Sequence, residues 1–367
     1  MTHSTDVLVV GGGIIGLTSA YFLAREGLRV LVVDKGDLGQ EASWAGAGII
    51  PPGNPATART PFDQLRAHSA LRFADLSREL RERTGIDNGY VRCGGLEISP
   101  QPYSRDHVAD DEEWHGEGVF TEVFDEPKSR LIEPALVAGL GKAIFLPDMA
   151  QLRNPRHLKA LAAGCRALGV ILSPGIEVRS FSVKDRRVTE AQTDSETLSA
   201  DKFLIATGAW TDPLLAPFGW QPGIRPVRGQ IALLQPDKPI LQHIIVRGSQ
   251  YLVPRADGRV LVGSTEENVG FDKRTTAVAI HQLLELAFSL VPELAEAPLE
   301  RCWAGLRPGS PDGLPFLGPV PDIENLFVAA GHFRAGIQLS IGTAMLIKEM
   351  LLGQPTTISG EPFRLVR

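Results

Sequence analysis

Apolar runs and an amphipathic stretch alternate in a regular order near the start of the chain. Asp6–Val10 is almost wholly apolar, which is typical of a strand buried on both faces. Ile14–Glu26 carries apolar residues three or four positions apart, which predicts a helix that ends at Gly27. A second apolar run, Leu28–Asp34, predicts another strand. The pattern therefore predicts a β–α–β unit.

Helical and strand patterns continue along the rest of the chain. Gly36–Pro61 is rich in Gly, Ala and Pro and predicts a long loop with a short helical part. Apolar periodicity predicts four further helices, at Phe62–Arg83, Asn154–Leu168, Ala277–Leu290 and Ile337–Leu352. Apolar runs predict strands at Tyr90–Ile98, Val170–Leu172, Glu177–Val183, Val188–Thr193, Lys202–Thr207 and Leu326–Ala330. Asn154, just before Pro155, is predicted to cap its helix.

Two features of the second half indicate how these elements are arranged. Several strand-like runs follow one another between Ile224 and Gly263 with no helix between them. Such an order predicts an antiparallel sheet and hence a second lobe. The final helix, Ile337–Leu352, is apolar nearly all round, so we expect it to be deeply buried. The fold class predicted is α/β, a Rossmann-type domain with a second α+β domain on a mainly antiparallel sheet.

Composition and charge narrow the class of protein. The 367 residues are 43% hydrophobic and 22% charged, which is typical of a globular chain. The net charge of −6 gives no basic footprint for nucleic acid or for an anionic membrane. We find no apolar stretch of the roughly 18 residues that a membrane span needs, and expect a cytoplasmic protein. The acidic segment Gln101–Gly118 is expected to be exposed.

The cysteine and histidine patterns indicate neither a disulfide framework nor a metal site. Cys93, Cys165 and Cys302 are isolated in sequence, and we expect them to be packing residues. The eight histidines show no HxxxH spacing, so no metal ligands are predicted.

Three glycines follow the first predicted strand in the order GxGxxG. Gly11 allows the tight turn from strand to helix, Gly13 lets a pyrophosphate approach the backbone, and Gly16 lets helix and strand pack closely. The helix then offers free N–H groups to the phosphates. Asp34 lies at the end of the second strand, where an acid about 20 residues after the glycines hydrogen-bonds a ribose hydroxyl. The pattern predicts dinucleotide binding.

This fingerprint, the GxGxxG pattern with its following acid, occurs once in the chain. A single dinucleotide site leaves open whether NAD or FAD is bound and limits where the electrons can come from. Flavin enzymes that are reduced by NAD(P)H commonly have a second nucleotide site, and Gly139–Ala143 lacks the pattern. If FAD is bound, its electrons are therefore expected to come from a small organic substrate and to leave to oxygen or a carrier.

Four further motifs accompany the fingerprint along the chain. They are EASWAGAGII (Glu41–Ile50), LIATGAW (Leu204–Trp210), WAGLRPGSPDGLPFLG (Trp303–Gly318) and AAGHFRAGI (Ala329–Ile337). Together with the opening they resemble the D-amino-acid oxidase family of flavoproteins, and most of all its glycine oxidase branch, which feeds thiazole synthesis for thiamine. The matches cover nearly the whole chain in family order.

The resemblance implies a non-covalently held FAD and the oxidation of a small amino acid, most of all glycine but also sarcosine or short D-amino acids. Hydride transfer to the flavin would give an imine, then an oxo acid and ammonia, and oxygen would be reduced to hydrogen peroxide. A homo-oligomer is also implied. The implied FAD contacts are Gly11, Gly13, Ile14, Ile15, Gly16, Asp34, Lys35, Ala42, Ser43, Ala47, Gly48, Ile49, Gly175, Thr207, Gly208, His332, Phe333, Arg334, Ala335, Gly336, Ile337 and Gln338.

A substrate carboxylate needs a planar double donor, which arginine provides. Arg334 and Arg307 lie in glycine-rich segments beside apolar ones, an odd place for surface arginines, and Tyr251 would add a phenol donor from the second lobe. In the family pattern Arg334 and Tyr251 bind the carboxylate and Arg307 lies close by. Structural alternatives are an exposed loop position for Arg334, an ion pair for Arg307 and sheet packing for Tyr251. His332 is expected either to contact the flavin or to satisfy backbone groups.

No general acid or base is predicted, because a substrate with a neutral amine can release hydride without one. Two alternative functions stay open at this point. One is a dehydrogenase of the same fold that passes electrons to a quinone or carrier, and the other is a redox-silent FAD-binding scaffold.

Two domains follow from the motif positions and the predicted strands. The FAD-binding domain is predicted to be discontinuous, over residues 1–85, 150–222 and 305–367. The substrate-binding domain is predicted over residues 86–149 and 223–304.

Overall fold

The computed structural model describes residues 5–98 and 111–367 of the chain. The α-helices of these residues are α1 (Ile14–Arg25), α2 (Ala42–Ala45), α3 (Pro61–Thr84), α4 (Asp111–Gly116), α5 (Glu126–Ile132), α6 (Asn154–Ala167), α7 (Thr211–Leu215), α8 (Ala277–Leu290) and α9 (Gly336–Leu352). The strands are β1 (Thr5–Val10), β2 (Val30–Asp34), β3 (Ile49–Ile50), β4 (Val91–Arg92), β5 (Gly95–Ile98), β6 (Glu122–Phe124), β7 (Ala143–Leu146), β8 (Ala150–Gln151), β9 (Ile171–Pro174), β10 (Val178–Lys184), β11 (Arg187–Thr193), β12 (Thr197–Leu198), β13 (Ala200–Ile205), β14 (Arg225–Leu234), β15 (Ile244–Arg247), β16 (Gln250–Pro254), β17 (Val260–Gly263), β18 (Leu299–Gly309), β19 (Phe316–Pro319) and β20 (Leu326–Ala330).

The apolar opening strand lies inside a six-stranded sheet of order β19-β20-β13-β1-β2-β9. Its pairs are parallel except for β19 with β20, and Val9 faces Leu204 on one side and Val32 on the other. Helices α1, α3, α6 and α9 contribute to the apolar cluster on one face. The small sheet of β10, β11 and β12 and helix α7 contribute to the cluster on the other face. Burial on both faces explains why β1 is wholly apolar after Asp6.

A second sheet of eight strands has the order β18-β14-β17-β16-β15-β5-β7-β6. Its pairs are antiparallel except for β5 with β15. Helix α8 packs on it through Leu283, Ala287 and Leu290, which are fully buried. The predicted fold class, a Rossmann-type sheet with a second, mainly antiparallel sheet, is confirmed. The division into two domains stays a prediction, and β18 crosses its boundary at residue 305.

The predicted role of Asn154 is wrong. Helix α6 begins at Asn154 itself, and Arg153 is the N-cap residue. The Asn154 side chain is buried, and its Nδ2 donates a hydrogen bond to the backbone oxygen of Ser43 at 2.8 Å. The side chain therefore joins α6 to the loop around α2 instead of capping its own helix.

Two other expectations meet the structure only in part. Residues 101–110 of the acidic segment lie outside the described residues, and α4 follows them with Glu112 and Glu113 exposed but Trp114 buried. The segment Phe333–Leu352 is long and apolar enough to cross a membrane, by length and composition alone. This differs from the prediction from the sequence, which gives no apolar stretch of that length. Within the protein, however, 72% of that apolar window is buried, as expected for a core helix.

Candidate active site

A cavity of about 490 Å³ extends from the glycine turn after β1 to the end of β18. Gly11, Gly13 and Asp34 line one part of it, and Tyr251 and Arg307 line another. The carboxyl ends of β1 and β2 open into it, which is where ligands bind in open α/β sheets. The residues predicted to bind a dinucleotide and the residues predicted to bind a small substrate therefore line one cavity.

No side chain fits at the first and third glycines of the turn, because the backbone there packs closely against neighbouring backbone. Gly11 has φ of +109°, and a Cβ on it would lie 2.4 Å from the backbone oxygen of Ala206. A Cβ on Gly16 would lie 1.8 Å from the oxygen of Gly11, so this glycine allows α1 to pack on the turn. Glycines are the residues that tolerate such backbone contacts.

Asp34 fixes the other side of this turn. Its carboxylate accepts hydrogen bonds from the backbone N–H of Gly12 at 2.7 Å and of Gly36 at 2.9 Å. Burial raises the pKa of the Asp34 carboxyl above its usual value, while the Gly36 and Gly12 N–H groups act in the opposite direction. The arrangement holds an acceptor beside the cavity, as recognition of a ribose hydroxyl requires.

The loop around α2 lies beside the glycine turn and forms the next part of the cavity wall. Ser43 Oγ accepts a hydrogen bond from the N–H of Ile14, the first residue of α1, at 2.9 Å. The guanidinium of Arg255, on the loop after β16, donates to the backbone oxygen of Ala47 at 2.7 Å and to that of Leu152 at 3.1 Å. The second sheet thus holds the loop that the cofactor would pass. This donor set and the side-chain-free turn fit a dinucleotide.

Most of the predicted cofactor contacts line the cavity. They are Gly11, Gly13, Ile14, Ile15, Asp34, Lys35, Ala42, Ser43, Ala47, Gly48, Ile49, Thr207, Gly208, His332, Phe333, Arg334, Gly336, Ile337 and Gln338. Three others are not on its wall. Gly16 packs against Gly11, and Ala335 is buried. The backbone N–H of Gly175 donates a hydrogen bond to the backbone oxygen of Gly36.

Arg307 enters the cavity wall from β18 as a partly buried cation. Its guanidinium donates to Ser264 Oγ at 2.7 Å and to the backbone oxygen of Thr265 at 3.0 Å. Burial lowers the pKa of Arg307, and the nearby Tyr251 opposes that shift. Within residues 5–98 and 111–367 no carboxylate forms an ion pair with Arg307, so the predicted structural ion pair is not found there. A partly buried guanidinium with donors to spare is a site for an anionic ligand.

Two glycines inside strands make room for these side chains. A Cβ on Gly229, in β14, would lie 2.1 Å from Arg307 Nη2. A Cβ on Gly263, at the end of β17, would lie 2.6 Å from the Tyr251 ring. Sequence reasoning missed both glycines, and Ser264 after them. A glycine within a strand pattern was the available signal, since it often marks close approach of another group.

Arg334 lines the same cavity but differs from Arg307 in exposure and pairing. It follows β20, and its guanidinium forms an ion pair with Glu266. Its side chain is 37% exposed and that of Glu266 is 43% exposed. The structure therefore brings Arg307, Arg334 and Tyr251 together at one cavity, and adds a carboxylate that sequence reasoning did not single out.

His332 and the first turn of α9 complete the wall. His332 is buried, and its Nε2 lies 3.0 Å from Thr343 Oγ1. Burial lowers the pKa of His332 to about 3, so the imidazole is neutral at neutral pH. Helix α9 begins at Gly336 without a side-chain cap, which leaves its positive dipole end at the cavity. The indole N–H of Trp303, on β18, donates a hydrogen bond to the backbone oxygen of Ala45 at 3.0 Å.

Comparison with known proteins gives this geometry a context. The model of the family FAD dependent oxidoreductase matches residues 6–350. Glycine oxidase of Pseudomonas putida is 35% identical, over 98% of this chain and 98% of its own. The structure of glycine oxidase from Geobacillus kaustophilus aligns with a TM-score of 0.91 and 33% identity, covering 100% of this chain and 99% of that one. That of iminodiacetate oxidase from a Chelativorans species aligns with a TM-score of 0.85 and 26% identity, covering 98% of each chain.

Proposed function

Since this chain belongs to the FAD dependent oxidoreductase family, we propose that it oxidises the bond between the α-carbon and the nitrogen of a small amino acid, with glycine as the expected substrate. Family membership confirms the resemblance of the sequence motifs, the enzyme class and FAD as the cofactor. The proposal goes beyond family membership in three points: the substrate, the products and the residues that bind the substrate.

The proposed reaction converts glycine, oxygen and water to glyoxylate, ammonia and hydrogen peroxide. Glycine loses two electrons and two protons to become its imine, and water hydrolyses the imine to glyoxylate and ammonia. Oxygen takes up the two electrons and two protons. We also propose that the product of this reaction feeds thiazole synthesis for thiamine, as the resemblance of the sequence motifs implies.

The partial burial of Arg307, without a carboxylate partner among the described residues, is the observation that carries the proposal. A guanidinium enclosed in a cavity and bonded only to neutral oxygens gains most from an anion that fits its planar fork. An amino acid's carboxylate is such an anion. Because Arg334 already has a carboxylate partner and is one-third exposed, we assign Arg307 as the principal anchor, with Tyr251 beside it and Arg334 in a supporting role.

The side chains near this anchor favour a reaction that needs no protein base. His332 is a weak base, because burial lowers its pKa to about 3, and its Nε2 already lies within hydrogen-bonding distance of Thr343 Oγ1. The bound flavin supplies the acceptor for the hydride of the α-carbon. The chain's own contribution is to orient the substrate, to exclude water, and to place the N-terminal end of α9 near developing negative charge.

The test is an anaerobic titration of the purified, FAD-loaded protein with glycine, sarcosine and D-alanine. We expect glycine to bleach the flavin absorbance and admitted oxygen to restore it with one hydrogen peroxide per flavin. Bleaching without recovery in oxygen would favour the dehydrogenase that passes electrons to a carrier. No bleaching by any amino acid would contradict the proposed function and favour a redox-silent scaffold.

A further inference from the structure

Arg307 and Arg334, the arginines beside Tyr251 in the proposed substrate part of the cavity, differ in net charge once their partners are counted. Arg307 bonds to neutral oxygens of Ser264 and Thr265 and keeps its positive charge. Arg334 is paired with Glu266 and is neutralised as a pair. Arg334 and Glu266 both act electrostatically on Arg307, in opposite directions, so the three charged groups are close neighbours.

Glu266 is held in place by the residues on either side of it. Thr265 Oγ1 accepts a hydrogen bond from the N–H of Gln230 at 2.9 Å and donates one to Glu267 Oε1 at 2.6 Å. Glu267 in turn forms an ion pair with the buried Arg228 at 2.6 Å. With both neighbours anchored to β14, the backbone at Glu266 is fixed, and its side chain is directed to Arg334.

We propose that Glu266 is a specificity-determining residue that neutralises Arg334 and thereby restricts the site to amino acids with a single carboxylate. The inference rests on the proposed function, because it takes Arg307 as the anchor of the substrate carboxylate. It adds a limit on the substrate class: a second carboxylate on the substrate nitrogen or side chain is excluded.

Charge balance gives the physical reason. One substrate carboxylate balances Arg307 and leaves the site neutral. A second carboxylate near Arg334 would meet a guanidinium whose charge is already balanced and would lie close to the Glu266 carboxylate, so it would be repelled. Both side chains of the ion pair are partly exposed, so water and salt weaken the effect without abolishing it.

The test compares two unreactive ligands of the FAD-loaded protein, methoxyacetate with one carboxylate and oxydiacetate with two. Their dissociation constants are measured from the perturbation of flavin absorbance, in the parent protein and in the variants Glu266→Gln and Glu266→Ala. We expect either variant to bind oxydiacetate about tenfold to a hundredfold more tightly, the range for a released charge-assisted hydrogen bond. Binding of methoxyacetate should tighten by less, about threefold or below, because its carboxylate stays on Arg307 and meets the loss of the Glu266 charge only through screened electrostatics.

Two further variants separate a specific effect from a general one. Glu285→Gln removes a charge from an exposed site on α8 and should leave the ratio of the two dissociation constants unchanged. Adding Arg334→Gln to Glu266→Gln should abolish the gain for oxydiacetate. If the ratio in Glu266→Gln and Glu266→Ala equals that of the parent, or the gain survives without Arg334, the inference is overturned while the proposed function stands. If neither acid binds the parent, the carboxylate anchor fails, and both proposals fall with it.

Discussion

The carboxylate of Asp34 accepts a hydrogen bond from the backbone N–H of Gly12, with 2.7 Å between Asp34 Oδ2 and the nitrogen. This bond joins the end of β2 to the turn after β1, so one side chain both fixes the turn and faces the cavity. The cofactor site therefore depends on a contact between two strands that are neighbours in the sheet.

Replacement of Asp34 by Asn should weaken FAD binding. The amide has one acceptor oxygen where the carboxylate has two charged ones, so one of the bonds to Gly12 and Gly36 is lost along with the ribose contact. We expect the FAD dissociation constant to rise by about tenfold, as for loss of one charge-assisted hydrogen bond. Flavin fluorescence titration measures it, and the exposed Asp237→Asn is the control. Unchanged affinity in Asp34→Asn would refute the assigned role.

Replacement of Gly11 by Ala should destabilise the protein more than replacement of Gly27 by Ala. Both glycines have positive φ, +109° and +85°, so both variants carry backbone strain of about 1 kcal/mol. Only at Gly11 does the new Cβ meet a neighbour, the oxygen of Ala206 at 2.4 Å, whereas nothing lies within 4 Å at Gly27. The free energy of unfolding, measured in urea, gives the difference between the two variants. If both variants lose the same free energy of unfolding, the turn at Gly11 can accommodate a Cβ atom and the prediction is wrong.

Replacement of Arg307 by Ala should lower kcat/KM for glycine by about tenfold to several hundredfold, because a charge-assisted double hydrogen bond is lost. Arg334→Ala should cost less, since Arg334 is already paired with Glu266. In Arg307→Ala the FAD content should stay near that of the parent, because Arg307 is not among the predicted dinucleotide contacts. The exposed Arg301→Ala on the same strand is the matched control. A larger loss in Arg334→Ala than in Arg307→Ala would return the anchor to Arg334.

Acid should destabilise the fold through two buried histidines. Burial lowers the pKa values of His157 and His332 to about 3, below their unfolded value of about 6.5. The unfolded chain therefore binds more protons between these values, and the free energy of unfolding falls as the pH drops from about 6.5 towards 3. Each histidine adds a slope of up to about 1.4 kcal/mol per pH unit.

The pH dependence of unfolding in a variant without one of these groups checks this. His157→Gln should flatten the dependence between pH 4.5 and 6.5 relative to the parent, whatever it does to stability at neutral pH. The exposed His281→Gln should keep the parental slope. Parallel curves for the parent and His157→Gln would mean that His157 is not held neutral.

The sequence alone determined the cofactor half of the site. Gly11, Gly13, Gly16 and Asp34 belong to one local β–α–β unit, in which the spacing of apolar residues and glycines fixes strand, turn and helix in order. The constraints are short-range: a turn without room for a Cβ, and a buried strand with no polar residues. For the same reason the bounds of α1, α8 and β20 could be predicted to within a residue or so.

Only the tertiary structure decided the substrate half. Arg307 comes from β18, Tyr251 from β16 and Arg334 from the turn after β20, and the sequence indicated each without showing which would be buried. The partial burial of Arg307 depends on the gap at Gly229 across the β14–β18 pair, and the net charge at Arg334 depends on Glu266, 68 residues away. Asn154 shows the same limit: its helix was predictable, but its bond to Ser43 was not. Local patterns fix elements, whereas ion pairs and burial are set by which elements the fold brings together.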